Sequence, residues 1–200
     1  MHNIILKQFI LFGSIFFISG CQGLPMIGPA EDYQPIHRTE SVDYDSNTQS
    51  RIRIYHQWSN TNLYENTSCE AWGKTKTKNL FRSFATSMPK GESVIIGIPQ
   101  TEKSTSVLNT PQKGWGPKLT FTEHVITANQ PFVIDARRVE ATGSYTCNIA
   151  GSFIPKAGAS YEAEYNENGN SCSLQLREIS KTQINTVHAS QNINGLRHCF

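Results

Sequence analysis

The stretch "YEAEYNENGNSCSLQL", residues 161–176, decides the fold class. Tyr161, Ala163 and Tyr165 alternate with Glu162 and Glu164, and the run from Cys172 to Leu176 repeats the period of two across an Asn-Gly turn. Alternation of this kind belongs to half-buried strands, and two such runs around Asn-Gly predict a β-hairpin. With Tyr161, Ala163 and Tyr165 toward a core, Glu162 and Glu164 are expected on a solubilising outer face.

The same period recurs outward from this hairpin. Residues 51–58, "RIRIYHQW", put Ile52 and Ile54 on one face and Arg51, Arg53 and Tyr55 on the other. Ser59 to Asn62 is expected to turn the chain into a partner strand at Leu63 to Glu65. Ser93 to Ile98 is a β-branched run ended by Pro99, and residues 100–118 read as a long loop. Leu119 to Val125 and Phe132 to Arg137 alternate around a turn at Ala128 to Pro131, and Tyr145 to Ile149 is expected to continue to Phe153. Between Gly73 and Lys90 the pattern fits either a strand or a short helix over residues 78–87. After Ile179 the chain turns polar, with Ile184, Val187 and Leu196 as scattered anchors. Short strands at roughly ten-residue spacing, with no long helix, predict an all-β antiparallel sandwich of immunoglobulin-like kind; a small closed barrel has the same signature.

Ahead of the strands, residues 1–20 carry Lys7 and then an uncharged apolar run, "FILFGSIFFISG", at residues 9–20. A run of this length is short of the ~20 residues a spanning helix needs, and it has the form of an export signal. Ile18-Ser19-Gly20-Cys21 resembles the lipobox of bacterial lipoproteins. That resemblance implies cleavage before Cys21, acylation of its thiol and new amino group, and, with Gln22 following, passage to the outer membrane, with the lipid bilayer as a partner. The expected organisation is a signal peptide at 1–20, a lipidated, disordered tether at 21–50 and a β-sandwich at 51–200. The tether reading rests on Gly, Pro, Ser, Asp and Asn without an apolar period.

Composition narrows the partners. The chain has 18 Lys and Arg against 16 Asp and Glu, and loss of Lys7 with the signal leaves 17 against 16. A near-neutral balance provides no field for polyanions, so nucleic acid is not an expected partner. Cys21 aside, four cysteines remain, Cys69, Cys147, Cys172 and Cys199. An even number in an exported chain predicts two disulfides. Of the three pairings, Cys69 with Cys147 and Cys172 with Cys199 is preferred, because Cys199 would tie the polar C-terminal segment to the last clear strand. No cysteine or histidine pair has metal-ligand spacing, so neither a metal nor a cofactor is expected.

Candidate sites are sparse. His37, His56, His124, His188 and His198 form no ligand pair, although His56 and His124 both fall on strands. No Gly-x-Ser-x-Gly elbow singles out a nucleophile. Lys74, Lys76 and Lys78 alternate with threonine and would form a basic strip on an extended edge. Trp58, Trp72 and Trp115 lie beside strand ends or in loops, where exposed indoles anchor partners and buried ones close a core. These features predict a non-enzymatic binding or assembly module on the periplasmic face of the outer membrane, recruiting a protein partner. Narrower readings are an accessory subunit of a secretion or envelope machine, or an immunity protein. A cell-wall glycan hydrolase is the reading of a different class.

Overall fold

The structure is a computed structural model that describes residues 32–57, 59–75, 84–86, 91–113, 118–139, 145–168, 171–184 and 187–199. Its strands are β1 (Ile36–Thr39), β2 (Gln49–His56), β3 (Ser59–Tyr64), β4 (Phe84–Thr86), β5 (Glu92–Ile95), β6 (Thr120–Thr127), β7 (Phe132–Val139), β8 (Tyr145–Phe153), β9 (Ser160–Asn168), β10 (Ser171–Ile184), β11 (Val187–Asn192) and β12 (Arg197–Cys199). Two short helices, α1 (Cys69–Thr75) and α2 (Glu102–Asn109), interrupt them.

The strands form two packed sheets, one of seven strands in the order β1-β5-β6-β2-β9-β10-β11 and one of five in the order β12-β8-β7-β3-β4. Ile52, Ile54 and Ile126 from the first sheet meet Leu63, Phe132, Ile134 and Phe153 from the second, with Tyr161, Ala163, Leu174 and Leu176 closing the core along β9 and β10. Phe153 packs edge-on against both Phe132 and Tyr161, at 5.8 and 5.1 Å between ring centroids. This is the all-β sandwich that the strand spacing predicts. Its first sheet is mixed, because β1–β5, β5–β6 and β2–β9 pair in parallel. The immunoglobulin arrangement is wholly antiparallel, and its strand order does not occur here.

Each sheet also buries part of its outer face under a helix. Under α1, Trp72 packs on Val133, Ala150 and Cys199. On the other side, Val107 and Leu108 of α2 cover Tyr55 and Phe121. Thr101 caps α2: its hydroxyl accepts from Ser104 N while the Ser104 side chain accepts from Thr101 N. The loop expected over residues 100–118 therefore contains a helix whose capping box uses Ser in place of Glu or Gln.

Several expectations change. The expected β9–β10 hairpin forms, with Tyr165 facing Leu174, and its pairing runs on through residues 166–168 of the expected turn to Asn168 facing Ser171. The expected pairing of β2 with the strand after it does not form, because β3 lies in the second sheet between β7 and β4. The turn at 128–131 likewise carries the chain from β6 in one sheet to β7 in the other. Residues 33–50, expected within the tether, are built into the folded domain. Tyr33 bridges Gln112, β1 pairs with β5, Asp45 accepts from Asn47 N (2.9 Å) and the Thr48 hydroxyl (2.8 Å), and Ser50 is fully buried. Every residue of β1 is exposed, so this edge strand carries no alternation to read.

The preferred disulfide pairing is also replaced. The bonds are Cys69–Cys199 and Cys147–Cys172. Cys199 lies on β12 at the edge of the second sheet, next to α1, and Cys172 lies on β10 in the first. The Cys147–Cys172 bond joins the two sheets, and Cys69–Cys199 fixes the start of α1 to the end of the chain.

Candidate functional site

Alternation predicts Glu162 and Glu164 of β9 in solvent and sets Arg53 of β2 on the face opposite Ile52 and Ile54. Glu162 and Arg53 are instead fully buried, because α2 and the segment leading into it cover this outer face. The strand register sets Glu123 of β6 opposite Arg53 of β2, Arg53 opposite Glu162 of β9, and Glu162 opposite Arg177 of β10. Four neighbouring strands thus carry one row of alternating charge.

The row is closed by directed hydrogen bonds. Arg53 donates from Nε and Nη2 to one Glu123 oxygen, at 3.0 and 2.7 Å. The other Glu123 oxygen accepts from Ile96 N at 2.8 Å and Ile98 N at 3.1 Å. Arg53 Nη2 also reaches the Ile98 and Pro99 carbonyls, both at 3.2 Å, while its guanidinium stacks 4.9 Å from the Phe121 ring. Glu162 accepts four donors: the Tyr55 and Thr101 hydroxyls at 3.0 Å each, Arg177 Nε at 3.0 Å and the Ser190 hydroxyl at 2.7 Å. Burying ionised groups is costly unless each is paired and hydrogen-bonded, and every member of this row is, although Arg53 Nη1 makes no hydrogen bond and faces Glu162 only at 3.8 Å.

The consequences for reactivity follow from occupancy. Burial alone would raise the Glu162 carboxyl, but the Ser190 hydroxyl, the Arg177 charge and the Thr101 and Tyr55 hydroxyls outweigh it and hold Glu162 below its ordinary value. A carboxylate whose lone pairs serve four donors is a poor proton acceptor. The Tyr55 phenol is pushed upward, first by burial and then by the Glu162 charge, and stays a hydrogen-bond donor. The row therefore works as a clamp that fastens residues 96–101 and the start of α2 to the sheet.

At its solvent end the row opens into a cleft of about 820 Å³ lined by Thr101, Lys103, Glu164, Arg177, His188 and Ser190, among others. Lys103 pairs with Glu164 and lies 4.7 Å from the centre of the Tyr55 ring, and Arg177 Nη2 donates to Glu164 at 3.1 Å. His188 is fixed by Nδ1 against Ser180 O at 2.8 Å. The lining offers donors and acceptors suited to a polar ligand.

On the inner face of the first sheet, the Thr122 hydroxyl bridges His56 Nε2 at 2.8 Å and His124 Nε2 at 2.9 Å. Burial, followed by the neighbouring His124, lowers His56 to about 4. Burial also lowers His124, against a smaller opposing effect of Glu40.

The residues expected to bind a partner divide differently. Trp72 is 5 % exposed in the core beneath α1, which removes it from any docking surface. Lys74 is exposed, but it lies in the last turn of α1 and so belongs to a helix and not to an extended basic strip. Trp58, Trp115, Lys76, Lys78 and Cys21 lie outside the described residues. The charged row was missed because Glu162 sits where alternation assigns solvent and Arg53 on the face opposite Ile52 and Ile54. The available signal was the opposite charge of Arg53 and Glu162, which matters only once the two strands are known to be neighbours. No group of three or more metal-ligating side chains converges among the described residues.

No family model matches the chain, and no curated protein matches it.

Proposed function

We propose that this chain is a lipoprotein of the bacterial outer membrane, held by acylated Cys21, whose β-sandwich serves as a non-enzymatic binding or assembly module for a protein partner in the envelope. The observation that carries this reading is the use of cysteine. The two disulfides consume Cys69, Cys147, Cys172 and Cys199, which leaves Cys21, at the end of an export-signal pattern, as the fifth. Disulfides persist in oxidising compartments such as the periplasm. Lipid on a single cysteine holds a protein at a bilayer because each buried methylene contributes about 0.8 kcal/mol and more than one chain is attached. The saturated lone pairs of Glu162 favour a clamp over an acid–base pair with Glu164, and this supports a binding role.

Intact-mass spectrometry of the protein from its native membrane, beside Cys21→Ala, tests the anchor. The expected result is an acylated chain beginning at Cys21, with its other cysteines alkylated only after reduction. An unacylated chain overturns the localisation. Release of soluble fragments from purified peptidoglycan by the chain without its signal overturns the non-enzymatic role.

A further inference from the structure

Tyr33 fastens the chain to the domain twelve residues after Cys21. Its backbone exchanges two 3.0 Å hydrogen bonds with Gln112, its hydroxyl donates to Gly91 O, and the Lys118 ammonium lies 5.7 Å from the centre of its ring. Gly91 has φ +74°, and a Cβ there would come within 2.5 Å of the Tyr33 hydroxyl, so the clasp needs glycine at this position. At 3.3–3.6 Å per residue, the chain from Cys21 to Tyr33 reaches at most about 40 Å in any conformation.

Strand direction then separates the two ends of the sandwich. β1 runs parallel to β5, and β5 parallel to β6, so all three lead away from the Tyr33 end. β6 has eight residues and ends at the turn where Asn129 N donates to Pro155 O at 2.8 Å. The loop at 154–158 therefore lies about 27 Å from the Tyr33 end, at about 3.4 Å per strand residue. There Ile154 is 63 % exposed, more than any other large hydrophobic among the described residues.

We infer that the Tyr33 end of the sandwich, with Gly91, Gln112, Lys113 and Lys118, faces the lipid bilayer at short range, and that the Ile154 end is presented away from it. A folded domain does not enter the hydrocarbon, and although a leash of up to about 40 Å does not force one orientation on a body about 27 Å long, the tethered end lies nearer the bilayer on average. This inference rests on the anchor at Cys21 proposed above, and it assigns the bilayer as the neighbour of one named face.

The test uses the full acylated chain in phosphatidylethanolamine–phosphatidylglycerol vesicles with a headgroup-attached energy acceptor. A donor dye is placed on Lys113→Cys or on Ile154→Cys, each checked by mass for intact disulfides. The offset of about 27 Å along the strands predicts energy transfer at least about twice as large from position 113 as from position 154. A Gly-Ser insert of about 30 residues ahead of Tyr33, which by the square-root scaling of a flexible chain raises the root-mean-square reach from about 19 Å to about 36 Å, is expected to remove most of that difference. Equal or reversed transfer in a chain that floats with the vesicles overturns the orientation alone. A difference that survives the insert overturns the short leash as its cause. Failure of the chain to float overturns the anchor and the orientation together.

Discussion

Glu162 and His56 are both fully or almost fully buried, and each makes a claim that can be measured at the scale of one residue. Glu162 lies between Arg53, whose Nη1 is 3.8 Å away, and Arg177, whose Nε is 3.0 Å away. Glu162→Gln keeps the volume but removes the charge shared by two guanidinium groups, which retain Glu123 and Glu164, and is expected to cost about 2–3 kcal/mol of stability by urea denaturation. Glu164→Gln, at the cleft and partly solvated, is expected to cost about 1 kcal/mol or less. Equal costs would show that the row is not the clamp described here. His56 predicts an acid limb. Its pKa falls from 6.5 when unfolded to about 4 when folded, so the unfolded state binds the proton first. Stability is thus lost as pH falls from about 6.5 toward 4, by roughly 3 kcal/mol, and below that this residue costs no more. The lowered His124 adds in the same direction, opposed by Glu40, and the Glu162 carboxyl, held below its ordinary 4.5, adds a further loss as pH falls through that value. Unfolding curves at several pH values for the native chain and His56→Gln should diverge over this window. Parallel curves would remove His56 as the source.

At the scale of elements, legibility followed alternation of polarity and not of burial, since β7 and β9 are buried on both faces. β6, β7, β9 and most of β10 are readable because side chains of opposite polarity alternate along them, and β5 because Val94 and its neighbours form a β-branched run. β1 is not readable, since an edge strand exposed at all four residues is held by its backbone pairing to β5. α2 is hidden by composition: "EKSTSVLN" has Val107 and Leu108 as its only large apolar residues, and its start is marked by Thr101 and Ser104, which serve loops equally well. The two arches, β2 to β3 and β6 to β7, look like hairpins for a related reason. Alternation fixes which residues share a face, but a strand can pair with either sheet and keep the same inward set.

For the whole molecule, the disulfides carry the strongest prediction. Cys69–Cys199 spans 130 residues and Cys147–Cys172 spans 25. Loop-closure entropy assigns about 5 kcal/mol to the first and about 3.5 kcal/mol to the second. Denaturant midpoints of Cys69→Ala/Cys199→Ala and Cys147→Ala/Cys172→Ala should fall in that order, and non-reducing peptide maps should recover these two pairs. The reverse order would place the main constraint between the sheets and not at the C-terminus. From the amino-acid order alone came the β class and the β9–β10 hairpin, each written in neighbours a few residues apart, and the number of disulfides, from the count of cysteines. Tertiary structure decided which cysteines meet, which strands share a sheet, and that Arg53 and Glu162 are buried. Those outcomes depend on contacts between segments as many as 130 residues apart, whose energies no local pattern records.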